Sequence, residues 1–268
     1  MSTTSDPIRS TTPYLLDNAT SQAPARLGAL SDLYDEGTIR HLEACGVGPG
    51  WRCLEIGGGN GSIARWLADR VGPAGSVVVT DIDTRHLEAL ADPRLDIRRH
   101  DVTSPLPDGP FDLIHERLVL NHVADRASIL RRMVAALAPS GWLLVEEFDS
   151  ESAPPDPVSS PGESYLATHR AWGRFMTDRG FDRRCGRHLF REIRACGLNE
   201  VTGEARMFMC ASGSPGTALL RANFEQLRNE LVEGGYVTAA QIAADLAAMD
   251  EPDFTMPSSI MWSVRGRR

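Results

Sequence analysis

Two periods of apolar spacing take turns along the chain. Residues 25–46 place Leu27, Leu30, Leu33, Tyr34, Ile39 and Leu42 at helical spacing, and Gly46, Gly48, Pro49 and Gly50 end the run. A strand-like run over 52–56 leads directly into Gly57-Gly-Gly-Asn-Gly61 and then a helix with Ile63, Ala64, Trp66, Leu67 and Val71 on one face. The β-branched run 76–80 carries no charge and reads as a strand buried on both faces, ending at Asp81-Ile-Asp83. The alternation continues with a helix over 84–90, strands over 95–99 and 111–115 and a helix over 127–137. A turn at Pro139-Ser-Gly141 and a strand over 142–145 complete it. Strands and helices alternating in this way predict an α/β fold, a parallel sheet with helices on both faces.

After Phe148 the texture changes. A Ser- and Pro-rich stretch, 150–162, precedes a helix over 163–179, a strand candidate over 206–210, helices over 216–232 and 238–249, and a last strand over 260–264. The expected organisation is an N-terminal arm and helical segment (1–40), a ligand-binding core (41–150), and cap helices with closing strands of the same domain (151–268). No internal repeat is visible.

Composition removes several function classes. The chain has 268 residues, 42% hydrophobic and 24% charged, and so can bury a core. All 28 basic residues are arginine, which excludes a Schiff-base lysine, a P-loop lysine and the kinase strand lysine. A formal net charge of −8 argues against a nucleic-acid partner. The five cysteines form no Cys-x-x-Cys pair, so buried reduced thiols are expected, with no disulfide framework or zinc site. No stretch is long enough and apolar enough to span a bilayer, and residues 1–12 show no secretory signal, so a cytoplasmic location and no membrane partner are expected.

The glycine cluster carries the most chemistry. In an open parallel sheet the loop after the first strand lies where ligands bind, and its glycines let a ligand approach the backbone. The dinucleotide pattern fails, because Ser62 stands where its last glycine would be. Glu55, two residues before the first glycine, would repel a pyrophosphate and attract a cationic amino group. Asp81, ending the second strand, can accept from a ribose diol. Asp101, ending the third, can reach an adenine amino group. Each acid alone is also readable as a solvated strand end or helix cap.

Together the runs Leu54-Glu-Ile-Gly-Gly-Gly-Asn-Gly-Ser62, Val-Val-Thr-Asp81-Ile-Asp, His100-Asp101-Val, Phe111-Asp-Leu-Ile-His-Glu-Arg117 and Pro139-Ser-Gly-Trp-Leu-Leu-Val145 resemble the class I S-adenosylmethionine-dependent methyltransferases of small-molecule type. The resemblance covers about residues 40–148. It implies a Rossmann-like, doubly wound seven-stranded sheet with its last strand antiparallel, a helical cap, and S-adenosyl-L-methionine as cofactor with S-adenosyl-L-homocysteine as product. It implies that Glu55, Gly57, Gly59 and Gly61 surround the methionine moiety and that Asp81 holds the ribose hydroxyls. Ile82, Asp101 and Val102 would then meet the adenine, Glu116 and Arg117 would flank the sulfonium, and Tyr14 and Arg26 would close over the methionine end.

Methyl transfer needs alignment above all, and a base only where the nucleophile must lose a proton. His122, after the fourth strand, and His169, on the cap helix, are the candidate bases, with packing or capping as the other reading. His115 reads as structural. Glu147 and Asp149 are expected to face the same crevice, and no metal site is expected. Tyr165, Trp172, Phe175, Met176, Phe208 and Met209 offer either cap core or an apolar acceptor pocket. Arg170, Arg174, Arg183, Arg184 and Arg187 read as an anion clamp or a solvated face. The expected function is methylation of O, N or C on a small organic acceptor, in secondary metabolism. The alternatives are a cofactor-binding protein with a regulatory or other non-transferase role, and an RNA or protein methyltransferase. A monomer and a homodimer are equally open.

Overall fold

In a computed structural model, residues 15–152 and 162–268 are described, the side chains of 162–167 excepted. In chain order the elements are α1 (Ala23–Ala44), β1 (Arg52–Ile56), α2 (Ser62–Val71), β2 (Ser76–Asp81), α3 (Arg85–Glu88), β3 (Leu95–Arg99), β4 (Phe111–Arg117), α4 (Arg126–Ala136) and β5 (Leu137–Asp149). There follow α5 (Gly162–Asp178), α6 (Cys185–Ala195), β6 (Asn199–Arg206), β7 (Met209–Ala211), α7 (Pro215–Gln226), α8 (Arg228–Glu233), α9 (Ala239–Ala248), β8 (Thr255–Pro257) and β9 (Ile260–Arg267). A single 3₁₀ turn, Leu120–His122, separates β4 from α4.

Among the described residues, seven strands make one sheet in the order β3-β2-β1-β4-β5-β9-β6. β1 pairs in parallel with β2 and β4, and β4 with β5. The last strand, β9, is antiparallel to both β5 and β6. The Rossmann-like, doubly wound sheet expected from sequence is therefore present. Strand order reverses between β1 and β4, which opens a crevice at their carboxyl ends.

Each face of the sheet has its own core. On one, Ile63, Leu67 and Val71 of α2 pack with Leu42 of α1 over Cys53, Val77 and Leu113. On the other, Leu130 and Met133 of α4 and Leu189 and Ile193 of α6 cover Leu54, Ile114 and Val145. A third core lies in the cap, where Trp172, Phe175 and Met176 of α5 meet Phe224 of α7, Leu231 of α8 and Ile242 of α9.

Several elements differ from expectation. The strand placed at 206–210 is instead β6, ending at Arg206, and the short β7, which pairs with β8 in a separate two-stranded sheet. The helix expected over 216–232 is broken into α7 and α8. The predicted turn at Pro139–Gly141 is an irregularity inside a 13-residue β5, with Ser140 at φ 66° and a register shift opposite Phe111–Leu113. β4 runs two residues past His115, to Arg117, and β5 runs on to Asp149.

Candidate active site

The reversal point opens into a cavity of about 1090 Å³ bounded by the β1 and β2 ends, α1, the β4–α4 loop and the cap. Its floor is the glycine loop. Gly57, Gly59 and Gly61 have φ of 73°, 56° and 78°, which side chains rarely tolerate. A Cβ on Gly57 would lie 2.3 Å from Val119 Cγ2, so the β4–α4 loop rests directly on this glycine. Gly61, which begins α2, would place a Cβ 2.4 Å from Leu90 Cδ1; it packs against α3 and is not on the cavity wall.

Asp81 ends β2 at the cavity edge and is only 8% exposed. Its Oδ2 accepts from the Gly59 N–H (3.0 Å) and its Oδ1 from the Asp83 N–H (3.0 Å). Burial pushes its pKa above the ordinary carboxylate value despite these donors. Beside it Ile82 is 40% exposed, an apolar side chain left facing open space on the cavity wall. Asp101 Oδ1 accepts from the N–H and the hydroxyl of Thr103 (2.8 and 2.7 Å), and Val102 is buried beside it. Arg132 of α4 donates to the Val102 carbonyl (2.9 Å) and so pins this edge of the wall.

α1 closes the other side. Asn60 in the glycine loop donates to the Leu27 carbonyl and to Ser31 Oγ (3.3 and 3.0 Å), which ties α1 to the loop. Arg26 is 3% exposed, lines the cavity, and donates through Nη2 to Asn18 Oδ1 (2.6 Å) and the Leu16 carbonyl (3.1 Å). Its Nε is buried with no hydrogen-bond partner, and no carboxylate pairs with it among the described residues. A buried guanidinium in that state is an anion seat. Tyr14, expected to act with Arg26, lies outside the described residues.

Glu55 lines the cavity, but its Oε2 is taken by His115 Nδ1 at 2.6 Å. His115 is fully buried between Glu55 and Glu146, whose Oε2 lies 3.4 Å from Nε2. Burial opposes charging of the ring, yet the two carboxylates outweigh it and push the pKa up to about 9. Glu146 is held well below the usual carboxylate range. Burial would raise it, but the His115 hydrogen bond, Arg117 and Arg206 prevail. Arg117 reaches the cavity while bonded to Asp35 (2.8 Å) and Thr38 (3.0 Å), so its charge there is already balanced.

Three expected acids do not reach the cavity. Glu116 lies within β4 rather than past its end, and alternate residues of a strand face opposite sides. It is fully buried toward α4 and α6, away from the wall that Arg117 joins. Glu147 and Asp149 likewise sit inside β5; Glu147 is buried and Asp149 pairs with Arg187 of α6 at 2.7 Å.

Both candidate histidines line the cavity. Burial, helped by nearby Arg26, pushes His122 down to about 3, and its ring meets Phe181 edge-on at 4.9 Å. Burial together with Arg183 and Arg170 pushes His169 down to about 4, and its ring stacks on Trp172 at 6.2 Å. Both are neutral imidazoles at neutral pH. Trp172 and Met176 also line the cavity, as do Leu33, Tyr34, Phe148, Leu220 and Met256, whereas Phe175 is cap core. Phe208 and Met209 are exposed elsewhere, and the side chain of Tyr165 lies outside the described residues. None of the five expected clamp arginines lines the cavity; Arg184 pairs with Glu151 (3.2 Å) and Arg183 bonds the Ser150 carbonyl (3.0 Å). The cap arginine on the wall is Arg179, stacked 3.6 Å over the Phe175 ring. Trp172 Nε1 and Asn121 Oδ1 are buried on this wall without hydrogen-bond partners.

No helix among the described residues is long and apolar enough to cross a membrane. Among them, no group of three or more His, Cys, Asp or Glu side chains could hold a metal ion.

The family model of a methyltransferase domain matches residues 12–198. The ubiquinone/menaquinone biosynthesis C-methyltransferase UbiE of Ectopseudomonas mendocina is 36% identical over 136 residues, 47% of this chain and 52% of that protein. The protein of the same name from Laribacter hongkongensis is 36% identical over 124 residues, 44% and 51% of the two chains. The chain thus spans about half the length of the curated relatives it matches. Among solved structures, a Haemonchus contortus phosphoethanolamine N-methyltransferase, bound to S-adenosylhomocysteine, superposes with a TM-score of 0.59 at 16% identity, covering 98% of this chain and 61% of that one. A cyclopropane-fatty-acyl-phospholipid synthase-like protein from Lactobacillus casei gives 0.55 at 20% identity, covering 96% and 95%. At these identities the structures speak for the fold alone.

Proposed function

Because the chain belongs to the methyltransferase-domain family, we propose that it uses S-adenosyl-L-methionine to methylate a small, partly apolar organic acceptor. The observation that carries this reading is a pair of buried ionisable groups on one cavity: Asp81 at the β2 tip and, on α1, the Arg26 guanidinium, whose Nε has no hydrogen-bond partner. They suit two polar groups of such a cofactor, the ribose diol and the amino-acid carboxylate. The glycine loop between them admits a ligand against its backbone. The cofactor, when bound, supplies a methyl group activated by a sulfonium sulfur.

Each remaining residue has a role in holding it. Ile82 and Val102 offer apolar surface to the adenine faces, and Asp101 an acceptor for its amino group. Gly57, Gly59 and Glu55 lie along the amino-acid tail, with Glu55 fixed by the charged His115. Asp35 balances Arg117, so that this cation does not repel the sulfonium. Residues 41–150 form the cofactor-binding core, and 151–268 the cap and closing strands.

The acceptor occupies the Tyr34, Phe148, Trp172 and Met256 end, which is apolar with a few hydrogen-bonding groups, as small-molecule pockets are. His122 and His169, neutral and weakly basic, accept the proton as the nucleophile bonds to the methyl carbon and its acidity rises. Alignment by the walls supplies most of the rate, on the order of 7–11 kcal/mol for well-oriented reactants. A net charge of −8 disfavours a polynucleotide acceptor. The aromatic lining, with relatives named for ubiquinone and menaquinone biosynthesis, makes quinone precursors the first acceptors to assay. Formation of S-adenosylhomocysteine with such acceptors is the expected result. Cofactor binding with no turnover on any acceptor would leave a binding protein instead.

A further inference from the structure

Beneath the cavity, on the sheet face covered by α4 and α6, two fully buried glutamates meet. Glu116 of β4 and Glu147 of β5 are each 0% exposed, and their side chains interact with one another. Between them they receive three successive backbone donors of the β4–α4 loop. The Val119 N–H donates to Glu116 Oε2 (3.1 Å), and the Leu120 and Asn121 N–H groups donate to Glu147 Oε1 (2.5 and 3.1 Å). The second oxygens, Glu116 Oε1 and Glu147 Oε2, are buried and have no other hydrogen-bond donor. Two bare carboxylates cannot face each other there; one proton between these two oxygens satisfies both.

The loop they hold is the joint between the two halves of the cavity. It starts at Leu118, a non-glycine residue at φ 62°. Val119 then packs on Gly57, His122 packs on Phe181, and the Asn121 carbonyl accepts from the Asp182 N–H (2.8 Å). We propose that Glu116 and Glu147 are positioning residues, a carboxyl–carboxylate pair with one shared proton that sets the Val119–His122 loop against the glycine floor and the cap. What the loop positions rests on the methyltransferase reading; the shared proton does not.

Other titratable groups act on the pair: Arg126 of α4 and the Cys185 thiol of α6 face it, Glu146 acts from the opposite face of β5, and Asp182 and Glu192 compensate Arg126 at 2.8 Å each. Burial dominates and raises both carboxyls. A group raised in the folded state stabilises fully below its unfolded value and loses that contribution as pH rises. The pair's contribution therefore declines as pH rises above the ordinary carboxylate range.

The test uses the full chain with Glu116→Gln, Glu147→Gln and Glu147→Leu. Infrared difference spectra at neutral pH, wild type minus either glutamine variant, should show a protonated carboxyl band that the variants lack. Urea denaturation should show the acid-to-neutral decline flattened in both glutamine variants. Glu147→Gln keeps an acceptor for Leu120 and Asn121 and a donor for Glu116, so S-adenosylhomocysteine affinity by calorimetry should stay within about threefold of wild type. Glu147→Leu strands both N–H groups and should weaken it by about tenfold or more. No carboxyl band in the difference spectra overturns the shared proton, whatever the cofactor does. Unchanged affinity in Glu147→Leu, with the band present, overturns the positioning role. Absence of cofactor binding by wild type itself would instead count against the methyltransferase reading.

Discussion

Replacing Asp81 by asparagine separates the cost of this acid from its use. The carboxylate is 8% exposed and its pKa is raised, so burial penalises its charge in the folded protein. A raised carboxyl gives full stability below its unfolded value and loses it as pH rises through the folded one, so at neutral pH the native acid is a net burden. Asparagine keeps the oxygen that accepts from Gly59 or Asp83 and removes the charge. Stability in urea at pH 7 should therefore hold or increase. Ligand binding should move the other way. Losing a charged acceptor for a ribose diol removes ~1.5–3 kcal/mol, roughly 10- to 150-fold in Kd. Isothermal calorimetry with S-adenosylhomocysteine measures it. Affinity within twofold of wild type would refute the ribose role, and a large fall in stability would refute the account of the buried charge.

Three further outcomes follow from the same geometry. Arg26→Met should weaken S-adenosylhomocysteine by roughly 10-fold or more through loss of a charged hydrogen bond, read by calorimetry; unchanged affinity would show that the buried guanidinium serves only Asn18 and Leu16. His115→Ala should cost ~3–5 kcal/mol in urea denaturation by stranding the buried Glu55 carboxylate, while Glu146 keeps Arg206. The wild-type share of that term should be full below pH 6.5 and lost as pH rises through about 9, where the ring deprotonates. His122→Ala should lower turnover by ~100-fold or more if the imidazole takes the proton, with cofactor affinity nearly intact; full turnover would leave His122 a packing partner of Phe181.

Sequence reading reached furthest where chemistry and backbone agree. The glycine loop, Asp81 and Asp101 announce themselves because strand ends and positive-φ positions accept few residue types. Strand lengths were the weak point, and with them the direction of side chains. Ending β4 at His115 left Glu116 beside the ligand; two more residues of strand turn it to the opposite face. β6 escaped notice because an edge strand needs no apolar alternation, and Asn199–Arg206 has only one large apolar residue, Val201. α6 was hidden by its arginines, although Cys185, Leu189 and Ile193 keep a buried stripe at helical spacing. The buried ionic groups beneath the cavity had no clear local signal, since Glu146 and Glu147 are distinguished from surface acids by partners distant in sequence, and Glu116 by its meeting with Glu147.

A crystal structure of the protein with S-adenosylhomocysteine bears most directly on the central claim. The account predicts the nucleoside in the cavity above the glycine loop, both ribose hydroxyls within hydrogen-bond distance of Asp81 and the tail carboxylate on Arg26. Density for the ligand away from this floor, or a ribose turned from Asp81, would contradict it.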